Sequence, residues 1–122
     1  GRSMYFSSKE YRFVSSSIVG GTLPIACGVA MGMKRLGLDE RVWVFIGDMT
    51  ARTGICHEVR EYARGHELPL SFVEEDNGLS TNTPTKEVWG EEKFRFFSPG
   101  YHYYKYERVY PHVGVGQFVS FG

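Results

Sequence analysis

The chain has 122 residues, 42% hydrophobic and 16% aromatic, with 14 basic residues set against 14 acidic ones. That length holds one domain able to bury a core without staples, and the charge balance excludes the broad basic footprint of a general nucleic-acid binder or a polybasic membrane protein. Fifteen glycines, eight tyrosines and nine phenylalanines speak against disorder, while the length excludes most self-contained multi-substrate enzymes.

In chain order, residues 1–20 read as loop, closing on Ser15, Ser16, Ser17, Ile18, Val19 and Gly20. Thr22 is placed to cap a helix with Pro24 in its first turn. Ile25, Ala26, Val29, Ala30 and Met33 carry that helix forward, and Lys34 and Arg35 suit its negative end. Gly37 is its expected stop. Apolar nearly all round, this helix is expected to be buried between the sheet and a second subunit, with Gly28 and Gly32 offering a smooth packing face. Val42 to Ile46 is a continuous apolar run of β-formers, which suits a strand covered on both faces, as in a parallel sheet. Residues 51–64 turn helical, with Ile55, Val59, Tyr62 and Ala63 on one face, and Gly65 closes the helix. Leu68 to Val73 reads as a second strand that ends at Glu74, Glu75, Asp76, Asn77 and Gly78. Strand, helix and strand in about thirty residues make a right-handed βαβ unit. The fold class is therefore α/β, a parallel sheet with flanking helices in a single domain spanning residues 1–122. Downstream, residues 80–84 read as a polar loop, 85–89 as a short helical turn, 101–110 as a strand broken by Pro111, and 113–121 as a last strand.

Cys27 and Cys56 belong to no metal-ligand pattern and lie among apolar neighbours. Buried free thiols are favoured over a disulfide or a nucleophile, which fits a reducing compartment and a cytoplasmic location. The longest nearly apolar stretch, Leu23 to Met33, is too short to span a bilayer, and no signal peptide is visible. The chain opens on Gly1 rather than Met, as expected of a processed protein or a fragment. His57, His66, His102 and His112 have no ligand spacing, so surface or packing roles are expected. Gly114 and Gly116 lack a following helix and make a poor dinucleotide fingerprint. The aromatics of 101–110 interleave with Lys105 and Arg108 as in a single-strand binder, but zero net charge favours a half-buried strand.

Ligands of open parallel sheets bind beyond the carboxyl ends of the strands. Gly47 and Asp48 fall there after the first strand, and Asp76, Asn77 and Gly78 after the second. Asp48 offers a carboxylate and Asn77 an amide oxygen; with nearby backbone carbonyls these are Mg²⁺ or Ca²⁺ ligands rather than zinc ligands. The amides of Met49 and Thr50 open the next helix, where a phosphate is favoured. The competing reading makes Asp48 a simple helix cap.

The wider pattern separates these readings. Gly47-Asp48, followed by Asn77 29 residues after Asp48, resembles the thiamine-diphosphate motif that opens with Gly-Asp-Gly and closes with Asn. More narrowly, the chain resembles the α subunit of the E1 component of 2-oxo acid dehydrogenases. That family shows a Gly-Ser-Met-His-like segment, Ile-Val-Gly-Ala-Gln-x-Pro, Gly-Asp-Gly, Leu-Pro and Glu-Asn-Asn in order. Here stand Arg2-Ser3-Met4-Tyr5, Ile18 to Pro24, Gly47-Asp48-Met49, Leu68-Pro69 and Glu75-Asp76-Asn77, with Gly54 and Glu58 matching in the intervening helix. The resemblance covers roughly residues 1–84.

It implies a thiamine-diphosphate-binding domain. Asp48, the Asn77 side chain and the Leu79 carbonyl would hold Mg²⁺, with diphosphate oxygens and a water completing six-coordination. Gly47 opens the anchor, and Met49 and Thr50 would present amides to the diphosphate. Ser17 would meet the aminopyrimidine and Val19 would be the apolar wedge beneath the cofactor; the alternative for Val19 is ordinary core packing. Met49 stands where the motif has its second glycine, Tyr5 where the family has histidine, and Glu74 where it is apolar. The glutamate that activates thiamine belongs, in this family, to a pyrimidine-binding domain on a β-type subunit. Glu58, Glu74 and Glu75 are therefore not candidates for that job, and no catalytic residue is assigned here. The resemblance thus implies half a site for a 2-oxo acid substrate, inactive without its partner in a homo- or hetero-oligomer, with the 23–33 helix or the helix bearing His57 as the interface. A transketolase-like thiamine enzyme and a non-catalytic α/β interaction domain or truncated fragment are the alternatives.

Overall fold

The structure is a computed structural model and describes residues 4–91 and 97–109. A two-residue hairpin, β1 (Ser7–Ser8) with β2 (Phe13–Val14), stands where the sequence reads as loop. Ser15 ties it: its amide donates to the Phe6 carbonyl at 2.8 Å and its hydroxyl accepts from the Phe6 amide at 3.1 Å. Helix α1 (Thr22–Arg35) follows, with Gly21 rather than Thr22 at the cap position. It ends in a Schellman turn. Leu38 donates to the Met33 carbonyl, Gly37 to that of Lys34, and Gly37 takes φ +65°.

Strand β3 (Val42–Gly47) leads into a short helix α2 (Asp48–Ala51), then α3 (Gly54–Gly65) and strand β4 (Leu70–Asp76). The helix expected over 51–64 is thus two helices. Thr53 interrupts them: its side chain donates to the Thr50 carbonyl at 2.7 Å and accepts from the Cys56 amide, capping α3. A tight hairpin, β5 (Leu79–Ser80) with β6 (Thr83–Pro84), replaces the polar loop, and α4 (Thr85–Trp89) is the expected helical turn. Strand β7 (Tyr101–Lys105) stops five residues before the expected end at Tyr110. Arg2, Ser3, Tyr110, Pro111, His112, the Gly114 and Gly116 pair and the strand expected over 113–121 lie outside the described residues.

The sheet order is β3-β4-β7, parallel throughout, so the expected α/β fold is present. Alternation sends Val44, Ile46, Leu70, Phe72 and Tyr101 to the face where α1 and α3 pack. There they meet Leu23, Ala26 and Ala30 of α1 and Cys56, Val59 and Ala63 of α3. Burying a side chain of this size contributes about 1.5–3 kcal/mol relative to leaving it in water. Cys27 and Cys56 are free thiols in this core. No helix among the described residues is long and apolar enough to cross a membrane.

One burial expectation is corrected, for β3; for α1 the side expected to face the sheet is the one the described residues cover. Strand β3 is covered on one face; on the other, Trp43 and Phe45 are 52% and 60% exposed. Helix α1 buries Leu23, Ala26, Cys27 and Ala30 while Ile25 and Val29 stay about half exposed, and among the described residues nothing outside the helix's own turns would meet a Cβ at Gly28 or Gly32. An all-apolar segment says only that water is disfavoured; which neighbour covers each face depends on atoms outside the segment.

Candidate functional site

Because β3 and β4 run in parallel with Gly47 opposite Glu75, their carboxyl ends finish in step. The residues that follow, Asp48 on one and Asp76-Asn77 on the other, are brought side by side by this register. Helix α2 packs against β3, β4 and β5, which sets it beside the loop carrying Asn77 and Leu79.

Asp48 is 3% exposed, and its Oδ1 has no hydrogen-bond partner. It does not cap α2, whose cap residue is Gly47 in extended conformation. The capping alternative therefore fails. A buried carboxylate oxygen without a donor is unfavourable unless something outside the chain's own side chains meets it.

The facing loop is tightly specified. Asn77 accepts from the Leu79 amide through Oδ1 at 2.9 Å and donates through Nδ2 to the Tyr106 hydroxyl at 3.1 Å. Asp76 accepts from the Gly78 amide at 2.9 Å and from the Tyr103 hydroxyl at 2.7 Å. Gly78 adopts φ +72°, a conformation that costs a glycine little. Its carbonyl accepts from the Thr85 amide at 2.9 Å. This puts Leu79 and Pro84 at a non-hydrogen-bonded position of the hairpin, so the Leu79 carbonyl points out of it. One carboxylate, one amide oxygen and one outward carbonyl are hard donors suited to Mg²⁺. Among the described residues no group of three or more His, Cys, Asp or Glu side chains is arranged to hold a metal ion, so any cation here depends on this mixed set.

Met49 and Thr50 lie within α2. The Met49 thioether accepts from the Trp89 indole N–H at 3.0 Å, and Arg52 donates to the Gly90 carbonyl at 3.1 Å, so α4 is fastened to the α2 turn at two points. The side chain standing in for the motif's glycine is thereby drawn toward Trp89. On the third side, the Ser17 hydroxyl donates to the Tyr5 hydroxyl at 2.7 Å. Val19 is 55% exposed, which rules out core packing within this chain. Gly20 (φ +75°) lies so close to α3 that a Cβ there would meet Ile55 Cγ2 at 2.8 Å. This contact seats the Ser17–Val19 turn beside the α2–α3 junction.

Glu74 is buried, and the Tyr101 hydroxyl donates to its carboxylate, with the Arg60 guanidinium 4.2 Å over the Tyr101 ring. Burial, then the hydrogen bond to Glu74, pushes the Tyr101 hydroxyl well above its ordinary range. Burial likewise pushes the Cys56 thiol up to about 11. Tyr101 and Cys56 belong to the hydrophobic core. His57 and Glu58 are exposed on α3, His66 lies tilted against Tyr62 with ring centroids 4.2 Å apart, and the His102 and Trp43 ring centroids are 5.4 Å apart. The residues the sequence reading missed are Tyr103, Tyr106, Thr85 and Trp89, which hold the loop and α2 in place. The run of aromatics in 101–110 was the available signal for the first two.

Comparison with known proteins places these features in context. A family model described as dehydrogenase E1 component matches residues 1–101. The chain is 33% identical over 100 residues to 2-oxoisovalerate dehydrogenase subunit alpha, mitochondrial, of Caenorhabditis elegans, covering 80% of this chain and 23% of that protein. Against the protein of the same name from Mus musculus it is 32% identical over 104 residues, covering 83% and 24%. Against pyruvate dehydrogenase E1 component subunit alpha, mitochondrial, of Pisum sativum it is 32% identical over 102 residues, again covering 83% and 24%. The chain thus spans about a quarter of the length of the curated relatives it matches.

Proposed function

The chain belongs to the dehydrogenase E1 component family, and from that premise we propose that it forms the Mg²⁺-diphosphate half of a thiamine-diphosphate site in an α-type subunit acting on a 2-oxo acid. Oxidative decarboxylation with acyl transfer is the reaction this reading assigns to the assembled enzyme. The single observation that carries it is the buried, unpartnered Asp48 Oδ1 at the carboxyl end of β3. A cation bound there would give that oxygen the partner it lacks.

In this reading Asp48, the Asn77 amide oxygen and the Leu79 carbonyl hold the ion. Asn77 is oriented for this by Tyr106, which takes the Nδ2 side and leaves Oδ1 on the side of the turn. Gly47 brings the chain into the anchor, and Met49 and Thr50 offer backbone amides to the diphosphate. Ser17 and Val19 line the approach, Val19 as an exposed apolar surface against which an aromatic ring stacks favourably. When bound, thiamine diphosphate supplies the electron sink for breaking the bond next to a 2-oxo carbonyl. The carboxylate that activates it comes from a β-type partner subunit bearing the pyrimidine-binding domain, so the chain is one domain of a larger oligomer. Its free thiols suit a reducing compartment such as the cytoplasm; fractionation of cells would separate that setting from the mitochondrial one in its relatives' names.

Calorimetric titration of thiamine diphosphate with Mg²⁺, on the chain together with its β-type partner, tests the reading. One Mg²⁺-dependent site is expected in the wild type, and its loss in Asp48→Ala. No binding by the wild type refutes the thiamine function and leaves a non-catalytic α/β domain; unchanged binding by Asp48→Ala refutes the metal assignment.

A further inference from the structure

Two buried side-chain oxygens among the described residues lack a hydrogen-bond partner: Asp48 Oδ1 and Thr85 Oγ1. Both residues are 3% exposed. They are 37 residues apart in sequence, yet the fold sets them on the same end of the sheet. Thr85 is anchored to the Asn77 loop because its amide donates to the Gly78 carbonyl at 2.9 Å. It follows directly on β6, which pairs with β5, and α2, led by Asp48, packs on β5. From Thr85 the α4 helix crosses back to α2, where Trp89 meets Met49.

The two oxygens do not satisfy one another, or each would have a partner. In the proposed site Asp48 Oδ1 meets the cation; a water on that cation donates, and a hydroxyl oxygen accepts, which gives Thr85 Oγ1 a partner as well. Water held at a buried site needs two or more such partners. We propose that Thr85 is a positioning residue of the cofactor anchor: its hydroxyl oxygen accepts from a water of the Mg²⁺ coordination sphere and so holds that water in place. This rests on the proposed thiamine-diphosphate function and adds a residue to it. Thr85 touches the ion's water rather than the reacting atoms. In the cofactor-free chain its hydroxyl is an unmatched buried group, whose replacement by an apolar isostere is close to neutral.

The experiment uses the chain with its β-type partner and compares wild type, Thr85→Val and Thr85→Ser. Thiamine diphosphate with Mg²⁺ is titrated calorimetrically, and each variant is melted with and without the pair. The expected result is about tenfold weaker Mg²⁺-dependent binding in Thr85→Val, wild-type binding in Thr85→Ser, and a cofactor-free melting temperature that Thr85→Val leaves unchanged or raises. Wild-type affinity in Thr85→Val overturns the inference while leaving the thiamine reading intact. A lowered cofactor-free melting temperature in Thr85→Val overturns it too, by assigning Thr85 an ordinary packing role. Failure of the wild type to bind at all overturns the underlying reading and the inference together.

Discussion

A carboxylate oxygen buried without a donor costs about 1–3 kcal/mol, and Asp48 Oδ1 is such an atom. Asp48→Asn removes the charge at nearly constant shape. It is expected to raise the melting temperature of the cofactor-free chain by a few degrees while removing Mg²⁺-dependent binding, a pairing that differential scanning with and without Mg²⁺ reads directly. Cys56 offers an independent check on core burial. Its folded value, about 11, lies above the ordinary 9.0 of a free thiol, chiefly through burial. The neutral thiol therefore stabilises the fold fully below pH 9, and that contribution is lost as pH rises toward 11. Urea midpoints at pH 8 and pH 11 are expected to fall with rising pH, and less steeply in Cys56→Ala; Tyr101, raised in the same direction, accounts for part of the remaining slope. At this scale the sequence was readable where one residue type does one job. The spacing of Asp48 and Asn77 placed both at the strand ends. Tyr106, Tyr103 and Trp89 were invisible as partners because they reach their targets across 29, 27 and 40 residues, and no local spacing encodes that distance.

At the scale of elements, the central strand, helix and strand were legible because each carries its own period. The Val42 to Ile46 run and the one-face spacing of Ile55, Val59 and Ala63 need no tertiary knowledge. The β1–β2 hairpin was not, because two-residue strands have no period and are held by Ser15 instead. The split of α2 from α3 was also hidden: apolar spacing continues through Arg52 and Thr53, and the interruption is made by one hydroxyl. Thr53→Ala is therefore expected to cost about 1 kcal/mol through loss of the α3 cap, measurable by chemical denaturation. Gly20 is the tightest joint between elements. Its positive φ and the 2.8 Å approach to Ile55 predict that Gly20→Ala costs about 1–3 kcal/mol and displaces the Ser17–Val19 turn. Loss of stability that Ile55→Ala partly restores would identify that contact as the cause.

Across the whole molecule, the apolar surfaces left open on β3 and α1 fit a chain that spans about a quarter of the length of its relatives. The sequence leads one to expect a helix flanked by a second subunit, but does not tell which face of Val42 to Ile46 this chain covers, because a continuous apolar run is the same on both sides. If α1 carries the subunit contact, Val29→Lys leaves folding stability within about 0.5 kcal/mol, as surface substitutions do, and weakens co-purification with the β-type partner. Retained co-purification would move the interface to α3. The claim on which the rest depends is that Asp48, Asn77 and the Leu79 carbonyl hold one divalent ion beneath a diphosphate. An anomalous difference map from crystals of the assembled subunits grown with Mn²⁺ and thiamine diphosphate tests it most directly. A single peak bounded by those three groups is expected; a peak elsewhere in the chain, or diphosphate density with no ion at Asp48, overturns the assignment.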